Sequence, residues 1–481
     1  MNMTTNHAQA YRPYLHFAPN ENWMNDPNGL VYFEEEYHLF FQYHPYSSVW
    51  GPMHWGHAVS KDLIHWEELD IALHPDEHGM IFSGSAVVDR ENTTGFFPDK
   101  PGLVAIFTHH LDGEEGENPV ETQSLAYSHD YGRTWKKYDG NPVLTSTTKV
   151  DFRDPKVFWH KETSKWIMVL ATGQTITIYS SSNLLEWQYE SEFGEGIGCH
   201  DGVWECPDLF PLSVQNSDEN KWVMLVSTGD TPEIGIGSKT QYFVGHFDGS
   251  TFVPEPASVN WLDFGKDNYA GVSFSDIPNE DGRRIYVGWM SNWLYANEVP
   301  TDGWRSQMTV PRTLSLQKKE GVYQLIQEPV QELDAYFTKK QDIDEQIDQT
   351  CSYDIHESYI DVNVTIDGGE TKEYGLNIHH TPEQFTTILF NRNNNSVKVD
   401  RTNSGKTEFS KHFPVEQGLE LEDSEQVQLS ILIDSSSIEL FLQEGEYALT
   451  SLVYPDQACE RLSFFTKDRM IKVNGTIHTP V

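Results

Sequence analysis

Three short stretches set a carboxylate beside proline and large aromatic side chains. They are Asn-Trp-Met-Asn-Asp-Pro-Asn-Gly-Leu from Asn22 to Leu30, Phe-Arg-Asp-Pro-Lys-Val-Phe from Phe152 to Phe158, and Trp-Glu-Cys-Pro-Asp-Leu-Phe from Trp204 to Phe210. Their leading acids are Asp26, Asp154 and Glu205. Pro27 fixes its own φ and biases Asp26 toward extended backbone, while Asn28-Gly29 supplies a turn into the apolar run Leu30 to Phe33. Asp26 is therefore expected at the entrance of a strand. Taken singly, each stretch has an ordinary explanation: a surface turn, an Arg153–Asp154 ion pair, an acid on a strand edge. Trp23 and Met24 argue against the surface turn, because a solvent turn has little use for a large apolar pair, whereas a sugar site wants an aromatic wall beside an acid.

Three carboxylates around an aromatic pocket suit glycosidic bond cleavage. One ionised acid attacks or stabilises the anomeric carbon and another delivers a proton. Asp26 is expected to be the ionised nucleophile, held charged by backbone N–H donors of its turn. Glu205 is the expected proton donor, because its neighbours Trp204, Cys206 and Pro207 are largely apolar and nearby carboxylates disfavour its charge. Asp154, kept ionised by the adjacent Arg153, would bind sugar hydroxyls and stabilise positive charge at the reacting carbon.

Bringing these acids together requires a repeated architecture. Strand-like apolar segments begin at Tyr37, Gly102, Lys165, Lys221 and Arg284, about 60 residues apart, each preceded by another short apolar segment. A second recurring piece follows in three units: Ser60 to Trp66, Ser128 to Trp135 and Ser181 to Trp187, with a degenerate copy from Phe247 to Phe252. Five units of strands with almost no helical periodicity predict an all-β fold, a five-bladed β-propeller over 1–330, with a large β-sandwich as the alternative. In a propeller the innermost strands converge on a central channel, so acids at the same place in three blades meet there. The cadence stops at Gln327-Glu328-Pro329. A charged, helical linker is expected over 331–350, and alternating strands over 351–481 predict a β-sandwich accessory domain.

The 481 residues carry 73 acidic against 33 basic side chains, a formal charge of −40. That balance repels nucleic acid and anionic membrane and favours a neutral substrate; it is also a composition found in proteins soluble at high salt. No long charge-free apolar run predicts a membrane span. Met1 to Pro13 is polar and lacks the apolar centre of a secretory signal, which favours the cytoplasm. Cys199, Cys206, Cys351 and Cys459 do not form a disulfide framework, and the chain contains no zinc-ligand spacing, so no metal and no cofactor is expected.

The three acid motifs resemble the signatures of glycoside hydrolase family 32, which holds invertases, levanases and exo-inulinases. The resemblance runs from residue 14 to about 325, through Gln42, Trp50 to His57, Phe82 to Ser85 and Ser291 to Trp293. It continues in Leu432-Ile433-Asp434 and Ser437 to Phe441, which look like the family's accessory sandwich. It implies a retaining, exo-acting β-fructofuranosidase with a covalent fructosyl-enzyme intermediate. In it Asp26 is the nucleophile, Glu205 the acid/base and Asp154 the transition-state stabiliser. A retaining pair stands about 5 to 5.5 Å apart. Asn25, Gln42, Trp50, Phe82, Ser83, Arg153 and Trp293 match residues lining the family's fructose subsite, with Trp23 as a further wall. Sucrose, fructooligosaccharides, inulin or levan are the implied substrates. A homo-oligomer through the β-sandwich belongs to the same set of expectations.

Alternatives within the family are a sucrose-6-phosphate hydrolase, which would need a basic cluster near the motifs, and a fructosyltransferase. Outside it stand an inverting pentosidase on a similar scaffold and a sugar-binding propeller without activity.

Overall fold

A computed structural model describes residues 10–113, 118–229, 237–256, 259–422 and 424–480. Residues 1–9, the first part of the polar N-terminal stretch, lie outside the described residues. Five small antiparallel sheets follow one another along the chain. The second strand of each is the apolar run seen in the sequence: Glu36–His44, Gly102–Leu111, Lys165–Thr172, Asn220–Thr228 and Arg284–Met290. These strands read as almost continuous hydrophobic runs because each sheet is packed on both faces by neighbouring blades. Outer strands such as Gln188–Phe193 carry exposed polar side chains instead.

The innermost strands are Asn22–Phe33, Met80–Asp89, Phe152–His160, Trp204–Ser213 and Tyr269–Ser273. The ring is tied shut where Trp304–Arg305, from the fifth repeat, pairs in parallel with Asn22 and Trp23 of the first blade. The recurring Ser-to-Trp piece is a turn before the outermost strand. In it Asp62, Asp130 or Asn183 accepts backbone N–H groups, and the indoles of Trp66, Trp135 and Trp187 donate to the carbonyls of Leu63, Gly132 and Leu184. One structure built three times explains the repeated spelling.

Two six-stranded sheets form the C-terminal sandwich around a core that includes Ile360, Val362, Val364, Leu376, Ile388, Ile431 and Phe464. The expected helical linker over 331–350 is corrected here. Only Gln331–Tyr336 is helical, as a single 3-10 stretch, and Lys339–Ile347 is a strand of the sandwich, paired with Ile471–Thr479.

Candidate active site

Each innermost strand is interrupted near its start, in every blade at the same level. Two residues there oppose one on the neighbouring strand. Asn25 and Asp26 face Gln42, Phe82 and Ser83 face Thr108, and Asp154 and Pro155 face Leu170. Cys206 and Pro207 face Val226, and Ala270 and Gly271 face Gly288. Such bulges break the hydrogen-bond ladder, which is why Pro27, Pro155 and Pro207 are accommodated within or directly after them, and they re-aim side chains into the channel. The turn expected at Asp-Pro-Asn-Gly is thus a correction: the stretch is a doubly bulged strand, with Gly29 at φ +54. Asp154 and Cys206 also take positive φ, 64 and 46 degrees, a strained backbone held by the surrounding sheet.

The three acids do not occupy one register position. Asp26 and Asp154 directly precede proline, whereas Glu205 stands two residues before Pro207, with Cys206 between them. This one-residue displacement sorts the site into levels. At the first, Glu205 meets residues that align with it in other blades: Arg153 reaches its Oε1 at 3.0 and 3.2 Å, and the Tyr269 hydroxyl donates to its Oε2. At the second, the Cys206 thiol lies 3.6 Å from both Asp26 Oδ2 and Asp154 Oδ2, so Asp26 and Asp154 flank one sulfur. Below these is a buried polar floor of Asn28, Lys156, Asp208 and Ser273, where Lys156 stands 3.4 Å from Asp208 and the Ser273 hydroxyl donates to it at 2.7 Å.

Asp26 receives hydrogen bonds from Ser83 Oγ at 2.7 Å and Asn25 Nδ2 at 3.0 Å. Its donors are side chains, rather than the backbone N–H groups expected of a turn. Asp154 accepts from the Cys206 backbone N–H at 3.0 Å. Burial pushes both aspartates above the usual carboxylate range; for Asp154 the neighbouring charges of Glu205 and Asp26 add to it against the pull of Arg153. Burial also raises the Cys206 thiol and the Tyr269 phenol, which keeps both protonated as donors.

Arg153 refines a further expectation. Its charge favours ionised Asp154 as expected, but less than burial opposes it, and its guanidinium forms its ion pairs with Glu205, Asp151 at 2.8 Å and Glu121 at 3.3 Å. Glu205 accordingly sits against a cation and a phenol, not in the apolar surroundings that Trp204 and Pro207 suggested.

Most of the expected wall residues gather here. Phe82 lies beside Ser83 and stacks on His110 at 4.1 Å, and Trp50 meets it edge-on at 6.5 Å. Gln42 is buried, donating to the Ile81 carbonyl at 3.0 Å, and Trp293 stacks on Trp23 at 6.0 Å. Trp23 itself is fully buried behind the wall, its indole N–H donating to Asn25 Oδ1 at 2.7 Å, so it supports a lining residue and does not line the site. Sequence reasoning missed Tyr269, the thiol bridge of Cys206, and the Glu121–His110 pair. Aligning Tyr269-Ala270-Gly271 with Glu205-Cys206-Pro207 as starts of equivalent repeats was the available signal.

Clustered carboxyl groups beside aromatic rings, at the hub of a five-bladed propeller, define a glycoside hydrolase acting on a sugar. The chain belongs to glycosyl hydrolases family 32: the family's N-terminal domain model matches residues 16–329 and its C-terminal model residues 325–479. It is 48% identical to a levanase of Bacillus subtilis over 98% of this chain and 70% of the levanase. It is 38% identical to an extracellular exo-inulinase of Aspergillus niger over 94% of this chain and 90% of that protein. Among solved structures, exo-inulinase from Aspergillus awamori superposes with a TM-score of 0.89 at 33% identity, covering 99% of both chains. A fructofuranosidase from Schwanniomyces occidentalis, complexed with fructose, also gives 0.89 at 32% identity, covering 99% of both chains.

Proposed function

We propose that this protein is a retaining, exo-acting β-fructofuranosidase that removes terminal fructose from neutral β-fructofuranosides, among them sucrose, fructooligosaccharides, inulin and levan. The observation that carries this reading is the meeting of Asp26, Asp154 and Glu205 in one bulged hub, linked through Cys206. Asp26 is the nucleophile. Its carboxylate, oriented by Ser83 and Asn25, attacks the anomeric carbon while Glu205 protonates the departing glycosidic oxygen. The Asp26–fructosyl ester is then hydrolysed by water, whose proton returns to Glu205. Asp154 accepts hydrogen bonds from fructose hydroxyls and steadies the positive charge that builds on the ring. Arg153 and Tyr269 hold Glu205 in place through both cycles.

Names of the relatives support a fructan or fructoside substrate, since they include levanase, exo-inulinase and fructofuranosidase. The test is product chromatography after incubation with sucrose, 1-kestose, inulin and levan, with Asp26→Asn as the blank. Fructose as the first product from each, born in the β configuration by NMR, is the expected result. No fructose from any substrate, with the protein folded, would overturn the reading.

A further inference from the structure

Between Glu36 and Lys61 the sequence has no Asp, Glu, Lys or Arg, in a chain of formal charge −40. That uncharged stretch contains the loop 45–53, which joins Glu36–His44 to His54–Ser60 beside the hub. Its backbone is pinned along its whole length. The Asn22 side chain donates to the Pro45 carbonyl at 2.9 Å and the Trp23 N–H to the Ser47 carbonyl at 3.0 Å. His44 Nδ1 contacts the Val49 carbonyl at 2.8 Å, and the Trp50 N–H donates to Asn297 from the fifth blade at 2.9 Å. Gly51 packs so closely on the His44 imidazole that a Cβ there would lie 2.4 Å from the ring.

On this fixed loop two aromatic rings face solvent: Tyr46 is 76% exposed and Trp50 42%. Tyr46 packs near-perpendicular to His44 and His54, at 6.0 and 5.7 Å, which braces a ring that stays largely in solvent. Trp50 in turn meets Phe82, whose neighbour Ser83 binds Asp26. Phe82 and Trp50 thus lead outward from Asp26 to the loop that also carries Tyr46. Exposed aromatic rings on a preorganised backbone are what the apolar C–H faces of sugar rings pack against, and the loop itself carries no charge to recruit a charged partner.

We propose that Tyr46, on the same pinned loop as Trp50, forms an outer platform for the rings of a linear β-fructan beyond the residue being cleaved, so that this loop sets the preference for chains of three or more sugars. The proposal rests on the exo-β-fructofuranosidase reading above. An exo-acting pocket admits the terminal fructose alone, so the following rings of a longer chain lie outside, where sucrose has a single ring to offer.

The experiment compares kcat/KM for sucrose, 1-kestose, nystose and inulin in wild type, Tyr46→Ala, Tyr46→Phe and Tyr189→Ala. Tyr189, 55% exposed on the outer strand Gln188–Phe193, serves as a control for loss of a surface ring. Tyr46→Ala is expected to lower the inulin-to-sucrose ratio of kcat/KM by about three- to tenfold, mainly through KM. Tyr46→Phe, which keeps the face, and Tyr189→Ala should both retain the wild-type ratio. An unchanged ratio in Tyr46→Ala, or an equal change in Tyr189→Ala, would overturn the platform while fructose release by the wild type left the parent reading standing. Absence of fructose release from every substrate by the wild type would overturn both.

Discussion

Two buried charge clusters use the same residue types and reach opposite electrostatic states. At the hub, Asp26, Asp154 and Glu205 have one guanidinium among them, and Arg153 also divides itself with Glu121 and Asp151. At the seam between propeller and sandwich, cations sit directly on the acids. His16 lies 2.7 Å from both Asp434 and Glu439, and Arg312 pairs with Glu439 and, at 3.2 Å, with Asp263. Burial would push Glu439 upward, yet Arg312 and His16 outweigh it and hold the carboxyl at about 2. Burial likewise opposes a charged His16, but its two carboxylate partners raise it to about 9. At the hub, among the described residues, no cation forms an ion pair with Asp26 or Asp154, so burial pushes both up. Burial is common to both clusters; the supply of cation decides whether a carboxylate supports the fold or is left poised for chemistry.

The sharpest way to break this contrast is Asp26→Asn. On the proposed mechanism it lowers kcat at least about 10³-fold. Removing one member of a crowded acid cluster should leave the melting temperature unchanged or raise it, since it relieves repulsion. Fructose release and thermal melts on the same preparation check both halves. A clear loss of stability would mean that the hub acids hold the fold as the seam acids do.

The reciprocal variant is Arg312→Met, which leaves Asp263 without its cation and Glu439 with His16 alone in a buried seam. A loss of about 3–5 kcal/mol is expected, read from urea unfolding, with kcat of the folded enzyme preserved. A seam that tolerated the change would remove the distinction from the other side.

His16 turns the same contrast into a pH dependence. Its pKa is raised in the folded state to about 9 from 6.5, so its stabilisation is complete below the unfolded value and is lost as pH rises through about 9. The contribution is about 3 kcal/mol, and His16→Gln should flatten the urea midpoint across that window. Glu439 acts in the opposite direction: lowered from 4.5 to about 2, it stabilises fully above 4.5 and ceases to do so as pH falls through about 2.

The propeller was legible in the sequence because the second strand of every blade is buried on both faces and so spells an apolar run. The acids were legible because proline and aromatics recur beside them. Register was not. Whether Glu205 or Cys206 stands level with Asp154 depends on where a bulge inserts its extra residue, and proline marks that place only to within one position. Arg153 illustrates the same limit, since adjacency in the chain said nothing about which carboxylate its long side chain would reach. The misread linker has a simpler cause. In Lys339–Ile347 only Ile343 and Ile347 are buried, and a spacing of four residues fits one face of a helix as well as one face of a strand.

Ser83→Ala is the mildest perturbation and isolates what keeps Asp26, the proposed nucleophile, usable. The Ser83 hydroxyl donates to Asp26 Oδ2 at 2.7 Å, one of the bonds that offset the burial pushing this carboxyl upward. Its removal leaves Asn25 and the Cys206 thiol as donors, so Asp26 should take up its proton at a higher pH than in the wild type. Because attack requires the ionised form, activity should be affected little near neutral pH and more as the medium becomes acidic. A buried hydrogen bond to a charged group, about 1.5–3 kcal/mol, corresponds to a loss of kcat/KM of about tenfold or more on the acid limb relative to the plateau. The seam lies outside this change, so the urea midpoint should hold while the pH profile moves. A midpoint that fell with an unmoved profile would assign Ser83 to packing and leave Asn25 as the residue that tunes Asp26.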